Sequence, residues 1–195
     1  MLDYSDNGAA NRLETWFGGS TSGGSYIVNA TMQAIGLTQT EMYGGYILDT
    51  YRAPAAFGSI PLTTVDQPSW GRGKRTTAYD LARLSRAVWL ASGGLGPLRR
   101  SVRGFTAADG RYLLHILADV HDHGKLDRLL PPRTTRVFHK AGWIGTSRHD
   151  NGLVFWRGGV LVASVMTYRG GGAGTASDVL AGRVARTAYL RFART

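Results

Sequence analysis

Two short stretches, far apart in the chain, combine side chains that can support acyl-transfer chemistry. Ser5-Asp6-Asn7 places a hydroxyl, a carboxylate and a carboxamide within one turn of backbone. His139-Lys140-Ala141-Gly142-Trp143 offers a cation followed by two small residues. A hydroxyl beside an ammonium can relay a proton, and a fixed cation can hold a substrate carboxylate. Taken singly, Ser5 also fits the N-cap of a helix, and Lys140 a solvated strand end.

In this order, the two stretches resemble the penicillin-recognising serine hydrolases, the class A β-lactamases and penicillin-binding proteins. Their signature set is S-x-x-K, S-D-N and K-T-G. Ser5-Asp6-Asn7 matches the second element in full, and Lys140-Ala141-Gly142 matches the third with Ala in place of Thr. Residues 76–84 and 148–154 look like the same family. The resemblance covers essentially the whole chain.

The first signature element is missing, because no Ser or Thr in these 195 residues is followed three positions later by Lys. In the family that motif lies well upstream of S-D-N. We therefore expect residues 1–195 to be a single β-lactamase-like domain that is N-terminally incomplete and lacks two strands and the nucleophile helix. Such a chain would expose a sheet edge, so we expect poor solubility, a homo-oligomer or assembly with an N-terminal fragment.

Hydrophobic periodicity and glycine positions predict the order of the secondary-structure elements. Helices are expected first, then strands, then one closing helix, which indicates an α+β fold with an antiparallel sheet flanked by helices. Ser20–Ser25 is predicted to be a loop, and 37–74 an irregular stretch that floors the active site in the family. The predicted helices are 8–17, 26–35, 78–91, 111–120 and 175–192, and the predicted strands are 136–140, 152–156 and 160–168.

The family resemblance implies a role for each matching residue. Ser5 would relay a proton toward the leaving nitrogen, and Asn7 would bond the substrate's side-chain amide. Lys140 would place a positive charge beside Ser5 and the substrate carboxylate. The edge strand Ala141-Gly142-Trp143 would lie along the acyl side chain and complete the oxyanion hole. Ala141 lacks the hydroxyl of the family's Thr, and either Thr146 or Ser147 would replace it.

The base that deacylates the enzyme is less clearly marked. Class A enzymes use the Glu of an E-x-x-L-N motif. Glu41 follows Ser5 at a suitable distance, but the Leu and Asn are absent. Extra residues near Ser20 would shift the register and bring Tyr46 closer to the expected place, and Asp49 is a weaker candidate. A missing base would favour slow turnover, as in a penicillin-binding or carboxypeptidase-like protein.

Composition limits the other functional classes. An apolar content of 43% excludes a disordered chain, and the absence of cysteine excludes disulfides and thiolate metal sites. The net charge of +10 could attract nucleic acid, but the arginines are scattered and no nucleic-acid-binding motif accompanies them. A polar loop, rather than a metal site, is the interpretation of Asp119 and His121-Asp122-His123. A structural role, rather than a chemical one, is the interpretation of His149-Asp150. No metal, cofactor or membrane span is expected.

The sequence thus predicts a serine β-lactamase-like hydrolase that acts on β-lactams or on the D-Ala-D-Ala stem peptide of peptidoglycan. The alternatives are a penicillin-binding or D-Ala-D-Ala carboxypeptidase-like protein, and an inactive pseudo-enzyme that binds cell-wall peptide. The resemblance implies an extracytoplasmic location and a response to antibiotics, although no signal peptide opens the chain.

Overall fold

The computed structural model describes residues 1–46 and 75–194. It divides the chain into two compact units, one comprising Met1 and Ser5–Thr76, the other comprising Leu2–Tyr4 and the chain from Thr77 onward. The expectation of one domain over residues 1–195 stays a prediction, and Asp49 with the rest of 47–74 lies outside the described residues.

The first unit contains helices α1 (Asn7–Gly18) and α2 (Thr21–Ala34). Asp6, rather than Ser5, is the N-cap of α1, and its carboxylate accepts a hydrogen bond from the Ala9 N–H. The loop predicted over Ser20–Ser25 is wrong, because α2 begins within it. The Ser20 hydroxyl accepts the Gly23 N–H at 2.9 Å, so a side-chain cap starts the helix ahead of its glycines.

Glycines in this region allow the backbones of α1 and α2 to approach each other closely. A Cβ added at Gly24 would lie 2.4 Å from the Glu14 Cβ and 2.5 Å from the Glu14 Cα. A Cβ at Gly18 would lie 2.0 Å from the Gly24 backbone nitrogen. The glycines that resemble a loop signal in the sequence therefore serve helix packing.

Three side chains on α1 and α2 hold the segment that follows α2. The Asn11 amide bonds both backbone groups of Tyr46, donating to its carbonyl at 2.8 Å and accepting its N–H at 2.6 Å. Asn29 makes the same two bonds with Met42, at 2.9 and 2.6 Å. The Ser25 hydroxyl donates to the Gly44 carbonyl at 3.0 Å. Side-chain amides thus satisfy backbone groups that a neighbouring strand would otherwise pair.

We expect Gly24→Ala to destabilise the protein by about 1–3 kcal/mol, because the new methyl group would overlap the α1 backbone. Chemical unfolding followed by circular dichroism measures the change. Gly93→Ala is the matched control, since its nearest contact would be an ordinary 3.6 Å from the Leu90 carbonyl oxygen. Equal midpoints for the two variants would contradict the close packing.

The second unit begins with three helices, α3 (Ala78–Ser92), α4 (Gly96–Ser101) and α5 (Ala107–Ala118). Thr77 caps α3 as the sequence predicts, accepting the Asp80 N–H at 3.1 Å. The short helix α4 was not predicted, because six residues carry too little periodicity. Helix α5 starts earlier than predicted, since Thr106 and Asp109 form a capping box there.

Three strands follow, β1 (Thr135–Ile144), β2 (Ser147–Trp156) and β3 (Gly159–Tyr168), and then helix α6 (Thr175–Phe192). The strands form one antiparallel sheet in the order β1-β2-β3. The predicted α+β class, the β2–β3 hairpin and the bounds of α6 are confirmed. Strands β1 and β2 are longer than predicted, because 141–144 still pair with the largely polar segment 147–150 across the hairpin.

The two faces of the sheet pack against different helices. Core side chains on one face of β2 and β3 lie against α6 residues Ala181 and Ala185; they are Val154, Leu161, Ala163 and Val165. The other face lies against α3, where the Asn151 amide donates to the Ser85 hydroxyl at 2.7 Å. Among the described residues, no helix is long and apolar enough to span a membrane.

Candidate active site

Lys140 lies in the middle of β1, directly across from Asn151 on β2. Its side chain is half-buried, and its ammonium donates to the Ala141 carbonyl. Burial lowers the Lys140 pKa, while the carboxylates of Asp122 and Asp150 oppose that shift. The structure therefore gives Lys140 a defined place in the sheet rather than that of a solvated strand end.

A polar row crosses the sheet at the level of Lys140. Asn151 pairs with Lys140 on one side and with Ser164 of β3 on the other, so the three side chains share one face. Within the described part of the chain, Asn151 Oδ1 and Ser164 Oγ are buried without a hydrogen-bond partner. Sequence reasoning assigned no role to Asn151 or Ser164. Ser164 interrupts an apolar β-run, whereas Asn151 ends a polar stretch that precedes another, and only their pairing across the strands connects them.

Ala141 points to the opposite face of the sheet from Lys140, because side chains alternate along a strand. It is buried, with 3% of its surface exposed. Ser147 shares the face of Lys140 but lies four residues along β2 from Asn151, which corresponds to roughly 13 Å. Thr146 lies beyond it in the β1–β2 turn. The structure does not place either hydroxyl next to Lys140.

The far end of β1 presents Gly142 and Trp143 at the surface. A Cβ at Gly142 would meet no atom within 4 Å, and Trp143 is 63% exposed. The Arg148 guanidinium lies 5.7 Å from the Trp143 ring centroid and forms an ion pair with Asp178 at 2.9 Å. Within the described residues, β1 has only one neighbouring strand. One edge of β1 therefore carries backbone groups that an extended ligand can pair with.

The remaining predicted site residues belong to the first unit. Ser5 has a left-handed backbone with φ of 55°, and Asn7 is the first residue of α1. Glu41 pairs through its backbone with Arg75, and its carboxylate forms an ion pair with the Arg75 guanidinium at 2.9 Å. The Arg75 side chain is 72% exposed and the Glu41 side chain 44%. Assembly of these residues with Lys140 into one site stays a prediction.

Tyr46, the other residue near the predicted deacylation position, is held through its backbone by Asn11. Burial raises the pKa of its hydroxyl, and the nearby Glu14 carboxylate raises it further. The Tyr46 hydroxyl is therefore neutral at physiological pH and suited to hydrogen bonding rather than to acting as a base.

Asp150 pairs with His139 rather than with its sequence neighbour His149. Its carboxylate lies 2.9 Å from Nδ1 of His139 on β1 and accepts the Leu126 N–H at 3.0 Å. His139 and Asp150 are each 1% exposed. His149 instead accepts the Thr167 N–H at 3.2 Å through Nδ1. Adjacent residues of a strand point to opposite faces, which is why His149 and Asp150 do not pair.

We expect Asp150→Ala to destabilise the protein by about 3–5 kcal/mol, since it removes one partner of a buried pair and leaves the Leu126 N–H unsatisfied. Asp150→Asn keeps an oxygen acceptor and should cost less. Asp119→Ala, at an exposed carboxylate, should change the free energy of unfolding by at most about 0.5 kcal/mol. Urea unfolding of the three variants provides the comparison, and a small effect of Asp150→Ala would contradict the assignment.

The chain belongs to the beta-lactamase enzyme family, whose family model matches residues 1–192. This membership confirms the resemblance that the S-D-N and K-A-G stretches indicate. None of the curated proteins compared with the chain matches it.

Several solved structures have the same fold as this chain. The β-lactamase from Sphaerobacter thermophilus has a TM-score of 0.71 at 16% identity, covering 100% of this chain and 61% of that one. The β-lactamase from Streptosporangium roseum has a TM-score of 0.65 at 20% identity, covering 98% and 61%. A point mutant of PBP-A, solved as an acyl-enzyme complex with penicillin G, has a TM-score of 0.61 at 20% identity, covering 89% and 53%. The chain thus spans about three-fifths or less of these structures, and the likeness shows a shared fold.

Proposed function

We propose that this chain supplies the S-D-N and K-T-G-like elements of a serine β-lactamase-like hydrolase that opens β-lactams through an acyl-enzyme. The observation that carries the proposal is the half-buried Lys140 ammonium on an edge strand, beside the polar side chain of Asn151. A cation held in this way suits a substrate carboxylate, because partial burial strengthens its attraction for an anion.

Each proposed site residue has its own role in opening the lactam. Lys140 holds the substrate carboxylate, while Ser5 passes a proton to the nitrogen that leaves when the lactam opens. Asn7 bonds the amide of the substrate's side chain. The exposed edge of β1 at Gly142 and Trp143 receives the acyl group, and one of its N–H groups stabilises the developing oxyanion.

The attacking serine is proposed to come from sequence beyond these 195 residues, since no S-x-x-K stands within them. The share of the solved structures that the chain spans, 53–61% in the three compared above, supports this. An extracytoplasmic location and a role in the response to β-lactams follow from the same proposal.

A second candidate is a penicillin-binding or D-Ala-D-Ala carboxypeptidase-like protein, or a catalytically inactive protein that binds the peptidoglycan stem peptide. Two observations favour it. Ala141 provides no hydroxyl at the K-T-G position, and the Glu41 carboxylate is engaged by Arg75. A carboxylate oxygen that is held by a guanidinium is less available to activate a water molecule, so the acyl-enzyme would be hydrolysed slowly.

We expect no covalent adduct when the 195-residue chain is incubated with penicillin G, because the proposed nucleophile is not part of it. Intact-mass spectrometry makes the measurement, and peptide mapping locates any modified residue. An adduct on Ser5 would show that this serine is itself acylated, which would contradict its proposed role as a proton relay.

We expect Lys140→Ala to weaken reversible binding of penicillin G by roughly 10- to 100-fold, which corresponds to the loss of one hydrogen bond to a charged group. Titration calorimetry measures the change. Arg133→Ala removes a cation that is exposed at the surface, and it should leave the affinity unchanged. Equal losses in both variants would indicate attraction by net charge instead of a site at Lys140.

Turnover separates the two candidate functions. Complementation of the chain with a polypeptide that carries the S-x-x-K element should give steady hydrolysis of a chromogenic cephalosporin if the protein is a β-lactamase. A persistent acyl-enzyme would favour the penicillin-binding alternative. Reversible binding of a D-Ala-D-Ala peptide without any adduct would favour the inactive binder.

A further inference from the structure

We propose that His123, Asp127 and His139 form a binding site for a divalent transition-metal ion, with Zn²⁺ the ion whose ligand preferences fit best. One ligand atom from each of these three side chains lies within 4.8 Å of the other two. Two imidazoles and one carboxylate are a common ligand set for zinc. All three residues belong to the second unit, and the site does not depend on the proposed β-lactamase chemistry.

His139 is oriented as a metal ligand by a second-shell carboxylate. Its Nδ1 lies 2.9 Å from both carboxylate oxygens of Asp150, which leaves Nε2 as the available nitrogen. That Nε2 is buried and has no hydrogen-bond partner within the described part of the chain. Ligating histidines usually bond a carboxylate through the nitrogen that does not bind the metal. A bound cation would give Nε2 the partner that the described residues do not provide.

Asp127 is also oriented before any ion binds. Its Oδ1 accepts the N–H groups of Gly124 and Lys125 at 2.8 and 3.0 Å. This arrangement directs Oδ2 toward His123 Nδ1, at 3.2 Å. Neighbouring ligands of a tetrahedral zinc ion at about 2.0–2.1 Å lie roughly 3.3 Å apart, so this pair already has the required separation.

The loop that carries His123 and Asp127 is fixed to the strand that carries His139. The Leu126 N–H donates to the same Asp150 carboxylate that orients His139. The rings of His123 and His139 are 5.7 Å apart between centroids. His123 is 62% exposed and Asp127 27% exposed, so modest rotation of their side chains can complete the coordination. The same exposure leaves room for water as a fourth ligand.

The sequence indicates only a polar loop here, because the ligands that are close in the sequence do not by themselves form a metal site. His123 and Asp127 have the spacing of one helical turn, which is common in ordinary ion pairs. The third donor lies on a strand further along the chain, and the fold brings it to the loop.

Titration calorimetry of the untagged 195-residue chain with Zn²⁺, repeated with Co²⁺, tests the site. We expect one ion per chain and a melting temperature that rises with zinc concentration. His123→Ala and Asp127→Asn should each weaken binding by at least about tenfold, the lower end of the loss caused by removing a second-shell partner. Asp127→Asn retains an oxygen that can accept the two backbone N–H groups.

His115→Ala is the matched control. His115 is 72% exposed and has Asp119 four residues later, at 3.9 Å, but among residues 1–46 and 75–194 no third metal ligand lies beside this pair. The variant should bind zinc as tightly as the parent chain, and tetrahedral visible absorption of bound Co²⁺ should persist in it. Absence of zinc binding, or binding of equal strength in all three variants, would overturn the proposal. Circular dichroism confirms that each variant is folded.

Discussion

The second unit depends on one buried carboxylate, Asp150. Isolated in a protein interior, a charged aspartate would cost several kcal/mol, so it must be paired and hydrogen-bonded. His139 and the Leu126 N–H meet this requirement, and in doing so they join β1, β2 and the segment that precedes β1. The apolar core formed by Leu126, Val154 and α6 can then pack on a sheet whose register is already fixed.

That register determines which side chains share a face. Lys140 and Asn151 lie on the face toward α3, whereas His139 and Asp150 lie on the face toward α6. A slip of one residue between β1 and β2 would exchange the faces of His139 and Lys140 and would separate His139 from Asp150. The His139–Asp150 pair therefore fixes the face of the sheet on which Lys140 lies.

Much of the fold could be predicted from the sequence, because its signals are local. Thr77 before an apolar helical repeat, Arg157-Gly158 between two apolar runs and the closing helix at Thr175–Phe192 all have the predicted places. The start of α2 could not be predicted, since glycines that resemble a loop signal there serve the contact with Glu14.

Only the site residues that lie in the family motifs could be predicted from the sequence. Lys140 stands out because it belongs to such a motif, but the polar row of Asn151 and Ser164 arises from cross-strand pairing. The partner of Asp150 depends on strand register, and the neighbourhood of His123 and His139 depends on the tertiary fold. Strand register and tertiary contacts cannot be deduced from the order of the residues alone.

Strand β1 thus carries residues of two proposed sites on its opposite faces. Its even-numbered side carries the proposed substrate cation, and its odd-numbered side carries the imidazole of the proposed metal site. Insertions or deletions within this strand would disturb both sides together, whereas a substitution alters only one. Point mutations can therefore alter or remove either proposed site separately during evolution, whereas the length of the strand is constrained by both sites.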